Sequence, residues 1–412
     1  MNTPPPKFTT VEYPPPTPRI PAQPAVLEER LLHKIFMLSH LPVNWGAGKI
    51  TIGLLLLAFV VELLWLPFGP ITYLVAGIYL LFAVSDWLLL AWLPRAGRSF
   101  GPIGPQLLVM TLPRVGAAGL AAGLAWLLGM TSGLAVGLMI LLQLAGSATY
   151  LWGMLHEPFA LQRTEREVTL PQWSAAQPPL RLLHLSDLHV ERLTRREHSL
   201  LALIKQTAPD LIVITGDFLN LSYVDEPLAR NEVRKILLEL EAPFGVYATL
   251  GSPPVDPRST TPSLLAGTNI RLLRDEALLL NLPDGRQLSL LGLDCEHDLA
   301  SDVSAFQSLI ATTPVDVPRV LLYHSPELMP QVQQEAVALY LCGHTHGGQV
   351  RLPFYGAILT SSALGKRYEM GPYLEQETLL YISRGVGLEG MSAPRLRLLC
   401  QPEITLFTLS GR

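Results

Sequence analysis

The chain has 412 residues, enough for two or three structural units at roughly 100–200 residues per domain. Apolar residues make up 49% and charged residues only 16%, against a usual ~25% charged, so a strongly apolar segment hides in the average and a long disordered acidic or basic protein is excluded. A net charge of −4 gives no global electrostatic case for nucleic acid, and three cysteines (Cys295, Cys342, Cys400) are too few and too scattered for a disulfide scaffold or a Cys-rich zinc site. A reduced compartment fits best.

Residues 1–25 form a Pro-rich stretch, with runs at 4–6 and 14–16, that reads as an extended, disordered tail. A plain spacer is the simplest use for it; a partner that binds polyproline is the other. Residues 26–47 are an amphipathic lead-in, Leu27, Leu31, Leu32, Ile35 and Phe36 alternating helically with Glu28, Glu29, Arg30 and Lys34. From 48 to 155 comes a transmembrane block. Between 50 and 155 the only charges are Glu62, Asp86, Arg95, Arg98 and Arg114. A span needs about 20 apolar residues to cross a ~30 Å hydrocarbon core, and four stretches qualify: 48–67, 70–93, 107–129 and 132–155. Pro113 and Arg114 are expected to shift the start of the third span inward. Glu62 and Asp86 stand as candidate ion or proton sites with no basic partner in view. The Lys and Arg residues cluster in the tail, in the 95–98 loop and at 163–166, all on one side of a four-span bundle. The positive-inside rule makes that side cytoplasmic and carries the C-terminal domain with it, as in a multi-pass protein of an inner or cytoplasmic membrane.

Residues 156–178 read as a linker, and 179–412 as an α/β domain. Apolar runs at 180–185, 210–215, 243–250, 319–323 and 337–342 predict buried strands. Amphipathic stretches at 195–207, 228–241 and 300–311 predict helices, and 276–293 a hairpin around Pro283-Asp284-Gly285. Four of the runs lead directly into polar residues: Asp187 and His189, Asp217, His324, and His344 with His346. Strand ends are where ligands of open α/β sheets bind, and the mixture of carboxylate and imidazole suits Mn, Fe or Zn rather than Ca.

In these pieces the sequence resembles the calcineurin-like metallophosphoesterase superfamily: Asp187-Leu188-His189, Gly216-Asp217, His324 and Gly343-His344-Thr345-His346. The stretches 343–353, 383–387 and 397–405 resemble its membrane-anchored branch. The resemblance implies a four-layer α-β-β-α sandwich and two divalent metal ions. It places Asp187, His189, Asp217 and His346 on the first, with Asp217 bridging to a second held by His324 and His344. Two such ions orient a phosphate and activate water at neutral pH. One motif departs from the family. Where Gly-Asn-His-Asp is expected, the chain has Gly251-Ser252-Pro253-Pro254-Val255-Asp256. Ser252 is a weak substitute ligand, Pro253 carries no proton, and Asp256 is a candidate replacement at the second metal beside Asp217. His184 and His297 are further acid candidates, with strand alternation favouring a core role for His184. Arg351, Arg367 and Arg384 are candidate phosphate contacts.

Three functions are consistent with this pattern. The first is a membrane-bound, metal-dependent phosphoric ester hydrolase acting on a phosphodiester or pyrophosphate, its substrate a membrane lipid or lipid-linked phosphate and not nucleic acid. The domain's 20 basic and 26 acidic residues from 178 onward argue against a nucleic-acid track. The second is a degraded relative that binds metal or a phospho-ligand as a sensor or assembly module. The third is a four-span transport protein with a regulatory soluble domain.

Overall fold

The computed structural model describes Leu38 and residues 41–412; the Pro-rich tail and most of the amphipathic lead-in fall outside it. Four long helices come first: α1 (Ala47–Trp65), α2 (Ile71–Trp92), α3 (Ile103–Leu127) and α4 (Ser132–Leu155). With 19 to 25 residues and about 1.5 Å rise per residue, each is long enough to cross a bilayer. Their outer faces are apolar and exposed, as at Leu55, Leu56, Phe59, Leu81, Leu141 and Leu144. The inner seam is built on small residues, Ala118, Ala121, Ala122, Ala125 and Ala135, against Val61, Trp65, Tyr79 and Met139. Small side chains let helix backbones approach where the hydrophobic effect gives no drive to associate. Exposed Trp45, Trp92 and Trp152 at one end, and Trp126 at the other, sit where aromatic belts mark the membrane faces.

Two expectations are corrected here. The third span is not shifted inward, because α3 starts at Ile103 and carries Pro113 within it. Nor is Asp86 without a basic partner. The Arg114 guanidinium donates to both oxygens of Asp86 at 2.5 and 2.6 Å, and to the Gln143 side chain at 3.0 Å and Ser147 at 3.0 Å. Single-helix patterns do not reveal this pairing, which joins α2, α3 and α4. Glu62 lies in the last turn of α1, near a membrane face rather than mid-span.

The C-terminal part contains two six-stranded sheets. The first is ordered β1 (Gln162–Leu170), β14 (Glu403–Gly411), β2 (Leu180–Leu185), β3 (Leu211–Thr215), β4 (Val246–Thr249), β5 (Ile270–Leu272). The second is ordered β12 (Gly371–Glu375), β13 (Thr378–Ile382), β9 (Leu339–Cys342), β8 (Arg319–Leu322), β7 (Gln287–Gly292), β6 (Glu276–Asn281). Between them lies an apolar layer that includes Leu182, Leu211, Val213, Phe407, Leu290, Val320, Leu322, Leu341 and Tyr381. Outside the first sheet pack α5 (Arg195–Thr207) and α6 (Pro227–Leu238), and outside the second α7 (Leu299–Thr312). This is the four-layer α-β-β-α sandwich. The central strands are continuous apolar runs because helices or the other sheet cover both faces. The stretch read as a linker contains an edge strand instead. In β1, Arg163, Glu165, Arg166 and Glu167 line a strand with one open face, and such charges keep an edge from pairing with other chains.

Strand direction sets which edge of the sandwich meets the bundle. The Arg397 amide donates to Gly153 O at 3.0 Å, the Cys400 amide to Glu157 just beyond α4, and β14 starts three residues after Cys400. Because β2 runs antiparallel to β14, the carboxyl ends of β2, β3 and β4 point back toward the helices. Leu396 inserts among Leu90, Leu93, Leu107, Met110, Tyr150 and Met154 at the helix ends. Arg395, wholly buried, clamps the junction: it donates to Glu191 at 2.8 Å and Ser222 at 2.8 Å, and its amide to Gln106 at 3.2 Å.

A buried ion pair broken on one side leaves an uncompensated charge, at a cost of about 3–5 kcal/mol. Arg114→Leu alone is therefore expected to lower the melting temperature of the detergent-purified protein sharply. The double change Asp86→Leu with Arg114→Leu is expected to recover most of the loss.

Candidate metal centre

The six sequence-predicted ligands converge on the bundle-facing edge of the sandwich. Asp187 and His189 follow β2, Asp217 follows β3, His324 follows β8, and His344 and His346 follow β9. Five of them hold left-handed backbone: Asp187 (φ 49°), His189 (39°), Asp217 (57°), His344 (68°) and His346 (51°). Positive φ is strained for such residues and persists only where the surroundings over-determine it. Here it turns alternate side chains at a strand end into one space. Glycine supplies the remaining room, since a Cβ on Gly343 would collide with the Asp187 carboxylate and Ser186, and one on Gly251 with Asp217.

Five of the six place donor atoms in two groups that overlap at Asp187, namely Asp187–His189–His346 and Asp187–Asp217–His324, while His344 belongs to neither. His189 Nε2 lies 3.0 Å from His346 Nε2, His346 Nε2 3.3 Å from Asp187 Oδ1, and His324 Nε2 3.1 Å from Asp217 Oδ2. Ligands about 2.1 Å from one ion stand roughly 3 Å apart, so the spacing fits shared cations. Three outer nitrogens are already committed, while His346 Nδ1 is buried without a hydrogen-bond partner. His189 Nδ1 faces Leu219 O at 3.2 Å and Glu389 Oε2 at 2.8 Å, His324 Nδ1 faces Thr215 O at 2.7 Å, and His344 Nε2 faces Ser361 O at 3.1 Å. An N–H donated outward fixes the tautomer and leaves the other ring nitrogen for a metal. His324 Nε2 is buried and faces only carboxylates, Asp217 Oδ2 and Asp187 Oδ1. The residues present thus fit divalent ions.

Without metal, the cluster balances its own charge. Burial works against a charged His324, but Asp217 and Asp187 outweigh it and raise the imidazole to about 10. Burial likewise opposes charge on His189, and Glu389, Asp217 and Asp187 raise it to about 9. Asp217 resists burial because His324 and His189 hold it below the usual carboxylate range.

The Asn/His departure now has a geometry. Both oxygens of Asp256 accept from main chain: Oδ2 from the Asp217 amide at 2.7 Å and the Gly251 amide at 2.8 Å, Oδ1 from the Phe218 amide at 3.2 Å. This carboxylate ties the 251–256 loop to the Asp217 turn, and none of its contacts is a ligand histidine. The Ser252 amide donates to Asp217 Oδ1 at 2.8 Å, and Ser252 Oγ meets His297 Nε2 at 3.1 Å. His297 reaches the site from the end of β7, in left-handed backbone (φ 56°), its ring 4.9 Å from that of His344. Partial burial and the neighbouring His344 and His324 pull it below the usual histidine range. His184 has the core role that alternation favours: it is buried on Thr215 Oγ1 at 2.8 Å, and burial lowers it to about 3. The three candidate phosphate arginines all carry carboxylate partners: Arg351 on Glu369 (2.9 Å), Arg367 on Glu375 (3.1 Å) and Arg384 on Glu403 (2.5 Å). Each charge is met by a carboxylate of a neighbouring segment.

Two functional neighbours escape sequence reasoning. Glu389 lies two residues past the glycine-rich 383–387 stretch and orients His189; that stretch was its only signal. Arg397, fully buried, donates to the carbonyls of Arg384, Gly385, Gly387 and Cys400. It holds the loop whose Gly387 amide donates to Asp187 O at 2.7 Å.

No family model matches the chain. Among curated proteins it is 31% identical over 290 residues to the uncharacterized metallophosphoesterase YkuE of Bacillus subtilis, covering 69% of this chain and 96% of that protein. Phosphodiesterase YaeI of Escherichia coli is 30% identical over 240 residues, covering 56% of this chain and 82% of its own. The UDP-2,3-diacylglucosamine pyrophosphatase LpxG of Chlamydia muridarum is 23% identical over 317 residues, covering 63% and 92%.

A metal displaces the protons on His189 and His324, so its binding releases protons below about pH 9. Affinity is expected to climb with pH and level off above the histidine values of about 9 and about 10. The metal-free fold behaves oppositely. Both values lie above the unfolded 6.5, so this stabilisation is full below pH 6.5 and lost as pH rises through about 9 to 10. Calorimetric metal titration in buffers of different ionisation enthalpy reads the proton release.

Proposed function

We propose, from the premise that this chain belongs to the metallophosphoesterase family, that it hydrolyses a phosphodiester or pyrophosphate carried on a lipid, at the face of the membrane its helices span. The observation that carries the reading is placement: the ligand-bearing strand ends lie on the edge of the sandwich that meets the helix ends. A soluble substrate gives no reason for this orientation, whereas a phosphate anchored by acyl chains reaches such a site without leaving the bilayer. The resemblance to an enzyme named for UDP-2,3-diacylglucosamine supports the same substrate class. Lys49, Arg95, Arg98 and Arg163 at the domain's end of the bundle support a cytoplasmic site.

Two divalent ions on Asp187, His189, Asp217, His324, His344 and His346 would supply an activated water and polarise the phosphoryl oxygens. The chain's own residues do the rest. Asp187, shared between the donor sets, keeps them in register, and Asp256 fixes the turn that carries Asp217. His297 takes the position facing the departing group, beside Ser252, and acts as a neutral N–H donor rather than a charged acid. That favours acidic leaving groups, as in a pyrophosphate, where little protonation is needed.

Bis(p-nitrophenyl) phosphate hydrolysis with Mn²⁺ by the detergent-purified protein, beside Asp217→Asn, tests turnover. Activity lost in that variant is expected; metal bound without activity in either protein would favour a binding module. Loss of a positioned proton donor costs about 10²–10⁴ in rate. His297→Ala is expected to fall at the lower end of that range on p-nitrophenyl esters and further on alkyl esters, whose leaving groups need the hydrogen bond.

A further inference from the structure

The short hairpin beyond the last metal-ligand loop is formed by β10 (Arg351–Leu352) and β11 (Gly356–Ala357), and its tip is apolar and open. Phe354 is fully exposed, and Leu352, Tyr355, Ile358 and the adjoining Leu399 are each 39–53% exposed. Elsewhere in the α/β domain the exposed large apolar residues are scattered singly, whereas here five share one rim. Phe354 (φ 64°) and Leu399 (φ 53°) are both held in left-handed backbone. Strain spent to turn apolar side chains toward the outside needs a return.

The rim is continuous with the membrane bundle. Val350 and Leu398 form the isolated bridge at the root of the hairpin, and the Arg351 amide donates to Leu398 O at 2.9 Å. Those two side chains pack with Leu396 against Leu90, Leu93, Met110, Tyr150 and Met154 of the spanning helices. The residues one step farther out, Leu352 and Leu399, therefore lie beside the helix ends, where the headgroup layer begins. The tip is also stiff. Lys366 Nζ donates to Tyr355 O at 2.8 Å and Ala357 O at 2.9 Å and lies 4.0 Å over the Tyr355 ring, while Glu369 pairs with Lys366 at 2.7 Å and Arg351 at 2.9 Å. An aromatic tip over a basic foot suits the boundary between acyl chains and headgroups.

We propose that residues 352–358 and Leu399 insert into the headgroup boundary of the same bilayer and form the lip over which a lipid-borne phosphate passes to the metal centre. The lip's role in delivery rests on the function proposed above; its contact with lipid does not. Five residues separate His346 from Leu352, so one end of this segment touches the site and the other the membrane.

The experiment places a Phe354→Cys variant, carrying an environment-sensitive fluorophore, in phosphatidylcholine–phosphatidylglycerol vesicles. The native cysteines are all buried and leave the label site-specific. A Val315→Cys variant is the control, exposed ahead of β8 at the opposite edge. Expected is a blue-shifted tip emission quenched by lipids with nitroxide near the headgroup, with the control unquenched. A tip label indifferent to lipid nitroxide overturns the proposal, whether it sits in water, under residues 1–40, or against a second copy. Phe354→Asp is then expected to raise KM about tenfold for an acylated pyrophosphate and leave bis(p-nitrophenyl) phosphate hydrolysis unchanged. Lipid quenching without turnover of any ester would sink the proposed function while the membrane contact stands.

Discussion

Asp187 and Asp217 are buried together at the end of two adjacent strands, and the rest of the domain is arranged around the charge they bring. Two carboxylates out of water need cations. The chain supplies partial answers, with His324 and His189 charged against them, and full answers only when divalent ions take the same donors. The left-handed turns at five ligands, the glycines whose Cβ would strike the carboxylates, and the carbonyls that fix the outer ring nitrogens all serve this convergence. So do residues that touch no donor: Arg397 braces the loop that closes over Asp187, and Asp256 pins the turn that presents Asp217.

A second constraint couples this centre to the membrane. The clamp of Arg395 on Glu191 and on the 220–222 turn engages the segments just past His189 and Asp217. The bundle is therefore braced against the ligand loops themselves rather than against the far side of the sandwich. Within the bundle, the Asp86–Arg114 pair and its Gln143 and Ser147 partners fix three helices in one register. A rigid anchor of this kind suits the lipid-borne substrate proposed above.

Much of this was legible because buried parallel strands announce themselves as apolar runs, and four of the five runs here ended in a ligand. Strand β2 falls at 180–185 as read, and β3, β8 and β9 fall within a residue or two. The helices α5 to α7 followed from their amphipathic spacing. The edge strand β1 was not legible, since a charged, half-exposed strand has no apolar run. Asp86 looked unpaired because its partner is 28 residues away on another helix. Likewise, Glu389 and Arg397 act through contacts that only the closed loop creates. His297 could be named as a histidine in an acidic loop, but its place beside Ser252 depends on the packing of the two sheets.

The central claim, a phosphoesterase site facing its own bilayer, is tested most directly by phosphorus relaxation. Mn²⁺ held by the protein in nanodiscs would act as a paramagnetic probe of the nearest lipid phosphates. The account predicts strong relaxation enhancement of the headgroup ³¹P signal, lost when Asp217→Asn removes the bound ion. Lipid phosphates that relax as they do without protein, with Mn²⁺ shown to be bound, would contradict it.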